Sequence, residues 1–246
     1  MKKTFSRKKS AFSLIELSIV LIIIGLLIAG ITGGASLIKS SELRAVMGEA
    51  RGYAVAVNAF YTQYNGLPGD FATAVGAVAY VGNGNSKIEY CDVSGNCTTA
   101  ASPFTGSEST VAWQQLKYAG AIDNAPTAIA ASTASHTAGI NNPASKIKAS
   151  GWDFDYNTTS TQNVVVLTGS TSVAATTANS LVNGTVISTA AILPTDALSI
   201  DTKIDDGVAN TGKIRGVLST CNSSGTYTVA TSTKACALSY QIDVNS

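Results

Sequence analysis

The 246 residues suffice for one domain of ordinary size plus an anchor, and barely for two domains. Only 13% of them are charged, about half the usual ~25% of soluble domains, and Ala, Thr, Ser, Gly and Asn fill the deficit. The net charge of +1 hides an asymmetry: Lys2, Lys3, Arg7, Lys8 and Lys9 precede Ala11 with no acid among them, and the remainder is acidic by a net of −4. A mildly acidic body offers no basic face, which argues against nucleic acid as a partner.

Residues 12–38 read FSLIELSIVLIIIGLLIAGITGGASLI and contain one ionisable side chain, Glu16. At ~1.5 Å per residue a helix over this stretch spans roughly 40 Å, more than the ~30 Å hydrocarbon core of a bilayer. The Lys and Arg cluster ahead of it belongs on the cytoplasmic side, which sends everything after Lys39 outward. A secretory signal peptide has an apolar core of only about 7–15 residues, so this run is too long, although Gly33-Gly34-Ala35 has the small residues of a weak cleavage site. A plain signal anchor fits both length and charge. Neither explains Glu16, because a carboxylate is costly to insert among apolar residues and marks a functional position.

The stretch Lys8-Lys9-Ser10-Ala11, followed by Phe12-Ser13-Leu14-Ile15-Glu16-Leu17, resembles the prepilin leader of type IV pilins and type II secretion pseudopilins. In that family a short basic leader ends in a small residue, the cut falls before a Phe, and a Glu follows four residues later. The residue before the cut is usually Gly, and here it is Ala11. The resemblance implies cleavage between Ala11 and Phe12 by a prepilin peptidase, N-methylation of Phe12, and an assembly role for Glu16. It also implies a bacterial inner-membrane anchor, and other pilin or pseudopilin subunits as partners in a helical filament. Chemistry supplies a reason for Glu16 as well. Cutting before Phe12 leaves a positive α-amine at the head of a helix, and an amine and a carboxylate that are each costly in lipid are much less so as a pair. A helix N-terminus also favours a carboxylate in its first turns. Within one chain the amine lies a turn from Glu16; between neighbouring chains the same pair would fix an axial stagger.

After Lys39 the pattern becomes amphipathic. Leu43, Val46, Met47, Ala50, Tyr53, Ala54, Val57, Phe60, Tyr61 and Tyr64 recur at helical spacing, with Arg44, Glu49, Arg51, Asn58 and Gln63 on the other face. Asn65-Gly66 and Pro68 stop the helix. One spine over residues 12–65 is expected, its second half presenting an aromatic stripe to a globular core.

Leu67-Pro68-Gly69-Asp70-Phe71 reads as a turn into a weakly patterned Gly/Ala/Asn-rich connection. A short helix is expected over residues 108–119, with Thr105 and Glu108 at capping-box spacing, Trp113 and Leu116 inward, and Gly120 as its end. His136 lies in a Thr/Ala/Ser-rich stretch and reads as a surface residue. Strands are expected at 152–156, 163–168 and 184–192, a helix at 195–205, and final strands at 213–220, 226–230 and 237–244, with turns at Asp206-Gly207, Gly212 and Ser224-Gly225. A long helix followed by antiparallel strands makes an α+β, pilin-like fold with the sheet packed on the amphipathic half of the spine. The expected segments are a leader over 1–11, a transmembrane half-spine over 12–38, an amphipathic half-spine over 39–66 and a globular domain over 67–246.

The cysteines fall into Cys91 with Cys97 and Cys221 with Cys236, spacings unlike a zinc CxxC pair. Outside the cytoplasm the default is disulfides, and local pairing is one of three connectivities. A Cys221–Cys236 bridge would resemble the C-terminal disulfide loop of many pilins. Asp201, Asp205 and Asp206 are the densest acidic group. Calcium is one reading, since some pseudopilins bind it near the C-terminus; a solvated turn cornered at Asp206-Gly207 is the other. Three carboxylates fall short of the six or more oxygens that calcium takes, which favours the turn. No other cofactor is expected. The sequence has no P-loop, no G-x-S-x-G elbow, no H-E-x-x-H and no paired catalytic carboxylates, so an enzyme is not expected. A filament subunit leads, and a single-pass, membrane-anchored extracytoplasmic binding module is the alternative.

Overall fold

The computed structural model describes residues 13–76, 82–89, 107–123, 125–126, 128, 136–157, 160–171 and 189–242. It divides at Glu42/Leu43 into two compact units. The first unit contains the start of helix α1, Leu14–Tyr64, which has the apolar composition and length to cross a membrane. From Leu14 to Ile38 its large apolar side chains are exposed, Leu14 by 85% and Ile24, the least, by 46%. The few polar side chains here are satisfied within the helix. Ser18, Thr32 and Ser36 hydroxyls donate to carbonyls three or four residues earlier, as a lipid environment demands.

The second unit begins at Leu43, and there α1 has a covered face. Leu43, Val46, Ala50, Val57 and Phe60 are buried as the periodicity predicts, with Met47, Tyr53, Tyr61 and Tyr64 packed half-buried against the core. The helix ends where Asn65 enters the left-handed region at φ 54°, its N–H still donating to Tyr61 O. Helix α2, Glu108–Tyr118, buries Trp113 and Leu116 and closes at Gly120, φ 71°. The N–H groups of Gly120 and Ala121 donate to Lys117 O and Leu116 O, the paired bonds of a Schellman end. Its N-cap is Ser107, with no side-chain cap, so the helix starts two residues past the expected Thr105 cap; Thr105 itself lies outside the described residues.

The sheet has the order β1-β2-β6-β3, antiparallel throughout. Strands β1, Ser150–Asn157, and β2, Gln162–Gly169, form a full hairpin in register Trp152↔Leu167. Helix α3, Pro194–Ile204, follows, with Ala197 and Ile200 buried. The sheet finishes with β3, Ile214–Gly216, and β6, Leu238–Gln241. Between these two lies a small hairpin of β4, Asn222–Ser223, and β5, Thr226–Tyr227. Its turn residues Ser224 and Gly225 both have positive φ, the arrangement that matches strand twist. The strand expected over 213–220 is cut to three residues because the chain turns at Leu218 to reach Cys221. Most of the strand expected over 184–192 lies outside the described residues, and Ile192 at its end bridges to Cys236. The core is aromatic where α1, α2 and β1 meet: Trp113 stacks on Phe154 at 4.0 Å, and Tyr53 stands edge-on to Trp113 at 4.8 Å.

Two side chains overturn their sequence assignments. Glu49, placed by periodicity on the polar face, accepts hydrogen bonds from Trp152 Nε1 at 2.9 Å, Ser145 Oγ at 2.9 Å and Lys146 N at 3.3 Å. A buried indole N–H needs an acceptor, and the edge of the α1 stripe is where one can stand. Burial of the Tyr53 hydroxyl, with the Glu49 charge beside it, pushes that phenol's pKa well upward. His136 is wholly buried rather than at the surface. Its Nδ1 sits 2.7 Å from Asp153 Oδ2, and Asp153 Oδ1 also accepts from Ser109 Oγ at 2.5 Å, whose oxygen in turn accepts from Phe154 N. A lone histidine in an unpatterned stretch carries no sign of a partner on a strand 17 residues away.

Glu49→Ala is expected to destabilise the domain by about 1–3 kcal/mol, because Trp152 Nε1 then loses its acceptor. Glu49→Gln, which keeps an amide oxygen, costs less, and exposed Arg51→Ala changes stability by less than about 0.5 kcal/mol. Denaturant melts of the three variants decide; a Glu49→Ala cost no larger than that of Arg51→Ala contradicts the role.

Candidate functional site

At the N-terminal site, Ala11 and Phe12 lie outside the described residues, and Glu16 stands in the first turn of α1. Its Oε2 accepts the backbone N–H of Ser13 at 2.9 Å. A first-turn carboxylate thus satisfies one of the N–H groups that a helix start leaves without a carbonyl. The sequence explained Glu16 by charge pairing; this capping bond is a second role that it did not predict.

Of the cysteines, Cys221 and Cys236 are joined in a disulfide with a sequence separation of 15, while Cys91 and Cys97 lie outside the described residues. Cys236 carries the bridge to Ile192, so the bond ties the chain before α3 and the small hairpin to the start of β6. Closing a loop of this size stabilises by ~3 kcal/mol in the loop-entropy view. Packing is close: a Cβ on Gly216 would come within 2.7 Å of Cys221 Sγ.

The carboxylates of Asp201, Asp205 and Asp206 converge, with oxygens within 4.8 Å of one another. Asp201 is buried, and its two oxygens accept Tyr227 OH at 2.8 Å and Gly207 N at 3.2 Å. Asp205 Oδ2 accepts the N–H groups of Lys213 and Ile214. Asp206 accepts Val208 N at 2.8 Å and Thr211 Oγ at 2.6 Å. Burial pushes the Asp201 carboxyl upward, and the Asp206 carboxyl is held low by the Thr211 hydroxyl and the Val208 N–H. Six protein donors reach the three carboxylates, which at one ligand apiece are half of what calcium takes.

A second acidic group escaped the sequence reading. Asp70 and Glu108 are buried, and the segment 82–89 is folded onto them through its backbone. Asp70 accepts Asn85 N at 3.0 Å and Ser86 N at 2.7 Å; Glu108 accepts Glu89 N at 3.0 Å and Asn83 N at 3.3 Å. Gly82 permits the closest approach, since a Cβ there would lie 2.2 Å from Asp70 Cα. Burial pushes the Glu108 carboxyl up to about 9, against the pull of its two N–H donors, and raises Asp70 as well. The only signal in the sequence is Asp70 and Glu108 flanking a Gly/Asn-rich segment, and nothing in it announces burial.

Against known families, residues 6–32 match the model described as the prokaryotic N-terminal methylation motif. The chain therefore carries the prepilin motif of type IV pilins and pseudopilins at its N-terminus. No curated protein and no solved structure gives a significant match.

Two outcomes follow from these sites. Native Glu108 holds its proton more tightly than the unfolded residue, so its contribution to stability falls as pH rises from about 4.5 towards 9. Denaturant midpoints should therefore fall with pH more steeply in wild type than in Glu108→Gln; parallel profiles contradict the raised value. For the Asp201 group, millimolar calcium or a chelator is expected to leave Tm unchanged, and a calcium-dependent rise identifies an ion site instead.

Proposed function

We propose that this chain is a structural subunit, of a minor or specialised kind, of a type IV pilus or type II secretion pseudopilus. The observation that carries the reading is the methylation motif over residues 6–32, set at the head of an apolar helix whose side chains are uncovered. A prepilin peptidase cuts between Ala11 and Phe12 and the new amine is methylated, which removes the basic leader 1–11. Residues 12–38 then lie in the inner membrane with the N-terminus cytoplasmic, residues 39–66 carry the spine onward, and 67–246 form the extracytoplasmic domain. On assembly the apolar half-spine leaves lipid for the filament interior, where neighbouring subunits cover it. That supplies the apolar cover which the described residues do not, and removing that surface from water is worth ~25 cal/mol per Å². The role is structural and needs no catalytic residue or cofactor.

Mass spectrometry of the N-terminal peptide from membrane-derived protein tests this. The expected species begins at methylated Phe12. An intact leader, or a start at Ser36 after a signal-peptidase cut, overturns the prepilin reading and leaves an anchored binding module.

A further inference from the structure

We infer that the domain has a binding cleft for a neutral sugar at the C-terminal end of α1. The cleft measures about 550 Å³, within the ~300–1,000 Å³ range of small-ligand sites. The end of α1, the segment 82–89, Thr161 with the start of β2, and the end of β6 line it. Its lining includes Tyr61, Asn65, Phe71, Lys87, Tyr156 and Gln162.

Phe71 forms a fixed apolar wall. Its ring lies over Gly66, where a Cβ would come within 2.4 Å of ring carbon Cδ2, and it is braced by Phe60 and Tyr64 at 6.0 and 5.8 Å. The two charged residues of the described lining are compensated. Lys87 Nζ sits 4.8 Å from the centre of the Tyr156 ring, and the Asp70 carboxylate is turned into the N–H groups of Asn85 and Ser86. Among the described residues the side-chain amides of Asn65 and Gln162 and the hydroxyls of Tyr61 and Tyr156 make no hydrogen bond. The surface on offer is thus one aromatic wall with amides and hydroxyls around it.

The described lining disfavours an anion, a cation and a wholly apolar ligand in turn. An anion needs more than one cation already occupied by a ring, and a cation needs an open carboxylate. A wholly apolar ligand would leave the amides desolvated without partners. A neutral sugar satisfies all of it. Its hydroxyls donate and accept, as do amides and phenols, and its C–H face packs on the negative face of an aromatic ring.

Saturation-transfer NMR on the full chain in dodecylphosphocholine, a detergent without a sugar headgroup, tests the cleft with lactose, maltose and N,N′-diacetylchitobiose. At least one is expected to show saturable transfer to its ring C–H protons. Gln162→Ala, a half-buried side chain without a structural bond, should weaken that binding about tenfold. Gly66→Ala, whose backbone conformation tolerates a side chain, should do the same by displacing Phe71, while Lys117→Ala leaves binding unchanged. No transfer from any of the three sugars overturns the assignment, and so does binding that Gln162→Ala and Gly66→Ala leave at the wild-type level. Neither result touches the filament reading, since the cleft uses no residue before Tyr61.

Discussion

An apolar half-helix without cover is the constraint to which the rest of this molecule answers. Among the described residues no large apolar side chain of α1 from Leu14 to Ile38 is buried, and a helix of that composition is insoluble unless lipid or other subunits surround it. The same helix from Leu43 onward has a buried stripe, because there the chain supplies its own cover in α2, β1 and the sheet behind them. The change from uniformly apolar to amphipathic near Lys39 is therefore the point at which the source of cover changes. Among the described residues, the hydrophobic core C-terminal to it gathers on that one stripe of the helix.

How the domain does so is unusual for a chain so poor in charge. Of its fifteen acidic residues, Asp70, Glu108, Asp153, Asp155, Asp196 and Asp201 are buried. Several act as acceptors for groups that regular structure does not serve: loop N–H groups on Asp70 and Glu108, a serine and the histidine on Asp153, a tyrosine on Asp201. Short strands and long connections leave many backbone donors outside ladders, and a buried donor without an acceptor costs about 1–3 kcal/mol. A carboxylate accepts several such bonds at once. Six of the acidic side chains thus lie inside, several of them as acceptors, rather than serving as surface charges.

Legibility in the sequence followed periodicity. The extent of α1, the inward faces of α2 and α3, and the β1–β2 hairpin were readable because apolar residues recur at 3.6 or alternate over several turns or pleats. The end of α1 was readable because Asn65-Gly66 and Pro68 are stop chemistry. What escaped was pairing at long range. Glu49 and Trp152, and His136 and Asp153, are joined only by the fold, and each acceptor sits where pattern alone assigns it to water. The cap on α2 stands at Ser107 rather than at the expected Thr105, and Glu108 accepts two backbone donors from the segment 82–89. At the N-terminus the order of residues carries the match to the methylation motif. Only the bond from Ser13 N to Glu16 needed coordinates.

That bond sharpens the test of the assembly role proposed for Glu16. Glu16→Gln keeps an oxygen for Ser13 N–H but loses the charge, whereas Glu16→Val loses both; either change makes insertion easier. If the carboxylate pairs with the Phe12 amine of a neighbouring subunit, both variants leave that amine unpaired in a medium of low dielectric, at a cost of about 3–5 kcal/mol per contact. The decisive quantity is the ratio of sheared-filament to membrane-pool protein, measured at equal expression for wild type, Glu16→Gln and Glu16→Val. A filament subunit held in register by Glu16 gives two variants processed and inserted like wild type yet both depleted from filaments. Ratios equal to wild type for both variants contradict it, and a deficit confined to Glu16→Val reduces Glu16 to a helix cap.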